Sequence, residues 1–414
     1  QTCALPILNP MLDAELPPFN NFSLTGTLLA NKKGFILKST DASIGDSHFQ
    51  TSIVIDNVSA KHLWSINLSS RQLQLKDFAL DIIDLQQADD STSKTSKQLV
   101  DNLIALRPVY RLIDIMQTSK MHFNLNLKVD KLLSGEITLG KARFQLHLRD
   151  NAAGLNHADI EIPGGNIKTS ASFEVINNNL TGNIELNIDK LDYGKTARMF
   201  DPEATLDGVI STNIYLVISG NNIMQLLDHA TGQLDIAVWP KNTQAAKILD
   251  LWATNLYLIL LPELNKKESK VNCLVGLMSL ESGKMKEDFF AIDTTKLWIH
   301  GNVNVDFGQQ KIQLSLFPRS KTARLFSLQS PIRASGSFSD INLNVNVLDL
   351  GVTYISFITS PLHVPTRWVF EGKPPKDGSA VCEQFFDRNY LEKLNKELQE
   401  KEQEEIEEIL NPDH

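Results

Sequence analysis

Apolar and polar residues alternate with a period of two through most of the chain. Clear examples are Phe123 to Val129, Phe144 to Leu148, Ile184 to Ile188 and Ile312 to Leu316. Successive side chains of a strand point to opposite faces, so each such segment has one apolar and one polar face. Short clusters of Gly, Asn or Asp, such as 177–179, separate the segments, as in antiparallel hairpins. The pattern predicts a mainly β protein built of antiparallel strands.

The apolar positions of these segments are mainly Leu, Ile and Val, and only 7% of the chain is aromatic. Two sheets packed face to face need large side chains to fill the space between them. We therefore predict one elongated, curled antiparallel sheet whose apolar face forms a groove suited to acyl chains. The residues expected to line this lipid-binding groove are Leu146, Leu148, Leu186, Ile188, Leu234, Ile236, Val303, Val305, Leu314 and Leu316.

A few short helices interrupt the strand pattern. Helical spacing of apolar residues occurs in 98–117, 222–230 and 243–260, and a strongly charged helix is predicted near the carboxyl terminus, within 383–410. The predicted organisation is an amino-terminal part of the groove in 1–87, truncated at its start, and a polar linker with an amphipathic helix in 88–119. A second groove region follows in 120–382, and an acidic helical tail occupies 383–414.

Charge and hydropathy narrow the classes of partner. The chain has 40 basic and 49 acidic residues, a net charge of −9, which argues against a nucleic-acid partner. The most apolar stretch, Leu249 to Leu261, is shorter than the roughly 20 residues that span a membrane. The chain starts at Gln1 without an initiator Met, so any membrane anchor is expected to lie before residue 1.

The sequence lacks the motifs of common catalytic centres. It contains neither HExxH nor GxSxG, and its nine histidines are scattered through unlike contexts. Gly135 to Ala142 resembles a phosphate-binding loop, but Ala142 stands where a Ser or Thr would hold magnesium. We therefore expect no enzymatic activity, no metal and no cofactor. The alternative is a polysaccharide-acting enzyme, which would need two carboxylates held about 5 to 10 Å apart.

Three cysteines, Cys3, Cys273 and Cys382, leave two interpretations open. They are either ordinary buried thiols or include a Cys273–Cys382 disulfide, which would close a long loop and indicate an oxidising compartment.

Several segments resemble a known family. They include Gly232 to Pro240, Ala245 to Leu256, Ser330 to Phe338 and, nearer the amino terminus, Leu24-Thr25-Gly26 and Leu63 to Leu68. The stretch from 232 to 338 looks like the C-terminal region of the AsmA family of Gram-negative envelope proteins.

The resemblance implies an inner-membrane protein with an amino-terminal anchor and a long periplasmic body. Its curled β-groove would carry phospholipids towards the outer membrane, with outer-membrane assembly proteins as further partners. The implied periplasmic location favours the Cys273–Cys382 disulfide. The alternative function is a periplasmic scaffold or regulator of outer-membrane protein assembly.

Overall fold

The fold is mainly β, as the alternation predicts. The computed structural model describes residues 23–31, 34–56, 62–78, 109, 112–114, 116–118, 121–241, 270–295, 297–321, 332–338 and 340–344. Its 17 described strands are assigned to one sheet. Within these residues, no helix is both long and apolar enough to cross a membrane. The predicted boundaries near residues 87, 119 and 382 lie outside the described residues, so they remain predictions.

The chain divides into two compact units. The first comprises Gln1–Leu206 with Asn213–Gly232, and the second comprises Asp207–Thr212 with Gln233–His414.

Nine strands of the first unit pair in chain order. They are β1 (Ser23–Asn31), β2 (Gly34–Ile44), β3 (Ser47–Asp56), β4 (His62–Gln74), β5 (Met121–Ser134), β6 (Ile137–Arg149), β7 (Ala152–Ile162), β8 (Gly165–Ile176) and β9 (Asn179–Asp192). All these pairs are antiparallel except β4–β5, which is parallel. A short 3₁₀ helix, Leu75–Phe78, follows β4.

The parallel pair explains the predicted amphipathic helix. Parallel neighbours need a crossover connection, which is usually helical. Residues 109, 112–114 and 116–118 of this connection are helical, and Val109, Ile113 and Met116 are buried. Their spacing of four and then three residues places them on one helix face, as the sequence predicts.

Two further helices follow in the chain, α1 (Tyr193–Phe200) and α2 (Ile223–Asp228). The Oδ1 atoms of Asp192 and Asn222 cap them by accepting hydrogen bonds from the backbone N–H groups of Lys195 and Gln225, at 2.9 and 3.0 Å. The helix predicted in 222–230 is therefore confirmed. Helix α1 was not predicted, because eight residues with a glycine in the first turn give a weak helical signal. The helices predicted in 243–260 and 383–410 lie outside the described residues.

The remaining strands are β10 (Gly208–Gly220), β11 (Thr231–Pro240), β12 (Val271–Glu281), β13 (Lys284–Thr294), β14 (Leu297–Asp306), β15 (Lys311–Ser320), β16 (Ile332–Ser337) and β17 (Asp340–Asn344). The first residues of β10 and most of β11 belong to the second unit, as do β12 to β17. From β12 onward, consecutive strands pair antiparallel.

Strand β12 is apolar on both faces, which departs from simple alternation. One buried cluster contains Cys273, Val275 and Leu277 with Ala291 and Trp298. The next cluster, which includes Met278, Val303 and Val305, is built from other side chains of the same strands. A strand that is buried on both faces has a continuous run of residues without polar side chains, as Cys273 to Met278 does.

A buried ion pair joins β13 to the end of β15. The Lys321 Nζ lies 2.5 Å from Asp293 Oδ1, and both side chains are almost completely buried. Asn272 Nδ2 donates a hydrogen bond of 2.6 Å to the other carboxylate oxygen of Asp293. Because charges are costly to bury, each member of this group depends on the others.

We predict that Lys321→Ala lowers the free energy of unfolding by about 3–5 kcal/mol, because it leaves the Asp293 carboxylate buried without its counter-charge. Urea unfolding followed by circular dichroism measures the change. Lys311→Ala is the control: its Nζ donates a hydrogen bond to Gln309 Oε1 at an exposed site, so its effect should stay within about 0.5 kcal/mol. Equal effects of the two substitutions would contradict the prediction.

Candidate functional site

One face of the first unit is apolar across all nine strands, β1 to β9. Residues paired across a ladder lie on the same face, so the strand registers define four successive rows. Row 1, at the end of the strands near the 3₁₀ helix, contains Leu24, Ala42, Phe49, Ser70, Val129, Ala142, Ile160, Ile167 and Ile188. Row 2 contains Gly26, Ser39, Thr51, Leu68, Leu127, Phe144, Ala158, Thr169 and Leu186.

Rows 3 and 4 continue the same face towards the opposite end of the strands. Row 3 contains Leu28, Leu37, Ile53, Ile66, Leu125, Leu146, Leu155, Ala171 and Ile184. Row 4 contains Ala30, Phe35, Ile55, Trp64, Phe123, Leu148, Ala153, Phe173 and Gly182. None of the four rows contains a charged residue, and their only polar members are small hydroxyl residues.

A hollow of about 490 Å³ lies on this face. It is lined by side chains of β1 to β6 and of the 3₁₀ helix, and Thr51 is the only polar residue among them. Leu68, Leu125, Leu127 and Phe144 line it from rows 2 and 3. Such a surface offers apolar area but no convergent polar groups, so it suits a hydrocarbon chain better than a polar substrate.

The 3₁₀ helix lines one end of the hollow with Leu75 and Phe78. The Phe78 ring meets the Phe49 ring edge to face, with the ring centroids 6.1 Å apart. Phe49 is 6% exposed and Val129 1%, whereas Leu28 and Phe35, in rows 3 and 4, are 61% and 41% exposed. Within β2 the exposed fraction rises from 6% at Ala42 in row 1 to 41% at Phe35 in row 4, and in β3 and β5 the row 4 residues Ile55 and Phe123 are half-buried.

Asp77 connects this 3₁₀ helix to the turn between β2 and β3 through hydrogen bonds. Its Oδ2 accepts hydrogen bonds from the Asp46 backbone N–H at 2.9 Å and the Ser47 hydroxyl at 2.7 Å. Gly45 in the same turn has φ +56°, and a Cβ there would lie 2.3 Å from Asp77 Oδ1. Glycine is therefore required at position 45 both for its backbone conformation and for the close approach of the carboxylate.

Most of the opposite face of these strands is polar and exposed. Asn126 Nδ2 donates a hydrogen bond of 2.9 Å to Asn67 Oδ1 across β4 and β5, and Lys141 pairs with Glu161 at 3.0 Å across β6 and β7. Such side chains keep this part of the face hydrated, so the apolar surface from β4 to β9 lies mainly on one side of the sheet.

The structure brings the predicted groove residues of the first unit onto this one face. Leu186 and Ile188 lie in rows 2 and 1, and Leu146 and Leu148 lie in rows 3 and 4. None of the four lines the hollow itself. The hollow-lining residues Leu125 and Leu127 were not selected, although they belong to the same alternating segment, Phe123 to Val129. Which part of the alternating segments borders the hollow had no sequence signal.

The predicted residues of the second unit also share a face. Val303 pairs with Leu314, and Leu316 lies two residues further along β15. Leu234 packs against the cluster of Val303 and Val305, and Ile236 follows two residues later on β11. Both valines are buried. Contact of these ten residues with lipid remains a prediction.

Cys273 is disulfide-bonded and completely buried. Both other cysteines, Cys3 and Cys382, lie outside the described residues, so the pairing with Cys382 remains a prediction. Within the described ranges, no group of three or more His, Cys, Asp or Glu side chains could hold a metal ion.

Comparison with known proteins supports the resemblance. The chain is 20% identical, over 343 residues, to the AsmA family protein YhjG of Escherichia coli strain K12, a match that covers 80% of this chain and 50% of that protein. The chain thus spans about half the length of the curated relative it matches. No family model matches the chain, and no solved structure matches it. The match supports membership of the AsmA family, which suggests an envelope-associated role.

We predict that Asp77→Ala destabilises the first unit by about 1–3 kcal/mol, because it removes two hydrogen bonds that hold the 3₁₀ helix. Urea unfolding measures the loss. Asp46→Ala is the matched control in the same turn: its exposed carboxylate is 2.8 Å from Lys76 Nζ, and this ammonium lowers the pKa of Asp46. An Asp46→Ala effect as large as that of Asp77→Ala would show that the Asp77 bonds are unimportant.

We predict that the unreduced protein yields a linked peptide pair containing Cys273 and Cys382. Proteolysis without reductant, followed by mass spectrometry, identifies the pair and leaves Cys3 as the free thiol. A Cys273–Cys3 peptide pair, or three free thiols in the unreduced protein, would refute the assignment.

Proposed function

We propose that this chain is a non-enzymatic envelope protein that holds and conducts phospholipid acyl chains, supporting outer-membrane lipid transport and biogenesis. The observation that carries the proposal is the apolar face of β1 to β9, with its hollow of about 490 Å³. Membership of the AsmA family supports it independently.

The chemistry of the hollow favours hydrocarbon. Burying apolar surface contributes about 25 cal/mol of favourable free energy per Å². This contribution does not depend on the detailed shape of the acyl chain, so affinity for acyl chains should be broad. A polar substrate would instead need hydrogen-bond partners for each group that it buries. Thr51 offers one hydroxyl for the whole lining of the hollow, too few for such a ligand.

The four rows also provide a continuous apolar path for an acyl chain. They run across the strands, and neighbouring strands lie about 4.8 Å apart, so nine strands extend the apolar face over roughly 40 Å. An acyl chain displaced along a row keeps contact with Leu, Ile, Val or Phe side chains and meets no charge. An acyl chain that moves along the face therefore need not be exposed to water at any strand.

The location and partners belong to the same proposal. We place the chain in the periplasm, held to the inner membrane by an anchor upstream of residue 1, with phospholipids as its ligands. Possible partner proteins are those of outer-membrane assembly, and we assign the chain no catalytic reaction and no cofactor.

One observation favours a scaffold function instead. Strand β1 is exposed along its whole length, with Leu28 61% and Leu29 53% exposed. A partner strand or helix that covers these residues would bury apolar surface. Lipid content distinguishes the two functions, because a scaffold has no need to retain phospholipid.

We expect phospholipid to co-purify with the chain and to be seen by native mass spectrometry with lipid extraction. Leu68→Glu should reduce it by roughly fivefold or more, because a carboxylate inside the hollow cannot be satisfied by an acyl chain. Leu125→Trp should also reduce the amount of co-purified phospholipid, because the larger side chain fills the hollow without adding charge.

Ser69→Glu is the matched control, since Ser69 is exposed on the polar face of the same strand. Circular dichroism confirms that each variant folds. A folded wild-type chain without lipid, or equal lipid in the Leu68→Glu and Ser69→Glu variants, would count against the proposal and favour the scaffold.

A further inference from the structure

A second hollow, of about 460 Å³, lies on the polar face of β3 to β6, on the reverse side of the sheet from the apolar rows. Two residues of each strand line it, and the registers align them in two rows. One row contains Gln50, Ser69, Lys128 and Arg143, and the other contains Ser52, Asn67, Asn126 and Gln145. The lining is completed by four residues of row 2, namely Thr51, Leu68, Leu127 and Phe144. This second hollow is here called the polar hollow.

Most of the uncharged side chains of the polar hollow have unused hydrogen-bonding capacity. Asn126 donates a hydrogen bond to Asn67. The other four, two glutamines and two serines, make no side-chain hydrogen bond with the residues that the structure describes. Amide and hydroxyl side chains can both donate and accept. A matching ligand therefore carries several groups that also do both, as the hydroxyl groups of a sugar do.

The charged side chains of the polar hollow are both basic. Lys128 and Arg143 lie directly opposite each other on β5 and β6, and none of the described residues that line the hollow is acidic. Like charges placed opposite each other across a ladder destabilise a sheet. Further along the same face, Lys141 lies opposite Glu161 and forms an ion pair with it. A like-charge pair that breaks this rule indicates a site for an anionic ligand.

Two acidic residues border the polar hollow but leave Arg143 unpaired. Asp130 Oδ1 lies 3.2 Å from Lys128 Nζ. Asp159 lies opposite Arg143 on β7, but its Oδ2 is 2.6 Å from His157 Nε2. Arg143 makes no ion pair or side-chain hydrogen bond within the described part of the chain. Its guanidinium can therefore bind a carboxylate through two parallel hydrogen bonds.

We infer that the polar hollow binds an acidic glycan, a chain of sugar rings that carries carboxylate groups. The sugar hydroxyl groups pair with the amide and serine side chains, and a carboxylate pairs with Arg143. The hollow crosses four strands, which extend over roughly 14 Å, so it suits an oligosaccharide better than a single sugar. An acidic peptide would match the charge but not the hydroxyl-binding side chains. The site lies on the face opposite to the acyl-chain hollow and does not depend on lipid binding.

Isothermal titration calorimetry with the whole chain tests the inference. The probe is tri-galacturonic acid, and maltotriose is a neutral trisaccharide of the same length. The wild-type chain should bind the acidic trisaccharide and should bind maltotriose at least about tenfold more weakly. The Lys128→Gln/Arg143→Gln variant should bind tri-galacturonic acid at least about tenfold more weakly than the wild type, because it removes charge-assisted hydrogen bonds.

The matched control is Lys284→Gln/Lys286→Gln, which removes the same number of positive charges from exposed lysines of β13. It should bind the trisaccharide like the wild type. Tetraglutamate is the control for charge alone, since it carries carboxylates without sugar hydroxyl groups, and it should not displace tri-galacturonic acid. Circular dichroism confirms that each variant folds.

The Ser69→Glu variant separates this site from the proposed lipid function. It adds a carboxylate to the polar hollow, so it should weaken binding of tri-galacturonic acid while co-purified phospholipid stays unchanged. A wild-type chain that binds the trisaccharide but contains no lipid would contradict only the acyl-chain function.

Binding that is selective for tri-galacturonic acid, and that is lost in the Lys128→Gln/Arg143→Gln variant but not in its control, supports the inference. A wild-type chain that does not bind tri-galacturonic acid overturns it. Equal binding of the two trisaccharides, equal losses in the two double variants, or displacement by tetraglutamate would also overturn it.

Discussion

The candidate site depends on the register of the antiparallel ladder. Side chains alternate between faces, so a slip of one residue in any strand would move its apolar residues to the wrong side. From β1 to β9 the registers keep Leu, Ile, Val and Phe in line, and local irregularities such as the one between Val129 and Leu132 change the alignment without interrupting the face. The hollow exists because many strands keep this alignment at once.

A single sheet with one apolar face leaves much of that face without a second layer. In the first unit the 3₁₀ helix covers part of it, and Asp77 holds the helix in place through two hydrogen bonds. The hollow next to this helix is part of the uncovered surface.

The second unit covers its apolar residues in a different way. Strand β12 buries apolar side chains on both faces, with Val275 and Leu277 on one side and Met278 on the other. A buried ion pair, Asp293 with Lys321, and the disulfide-bonded Cys273 lie in this part of the unit. Polar groups in such a place restrict how the strands pack, because a displaced charge would lose its partner. The more open apolar face of β1 to β6 has no buried charge in its rows.

The sequence alone determined the class of fold and the alternating strand segments such as Phe123 to Val129, because the period of two is a local property. It also identified α2 and the amphipathic helix that joins β4 to β5. Tertiary structure decided which strands pair and in which register, and therefore which residues meet. Leu125 and Leu127 line the hollow together with side chains of β1 to β4, β6 and the 3₁₀ helix, which the strand pairing brings to the same place. Those contacts join residues far apart in the chain, so no local period records them.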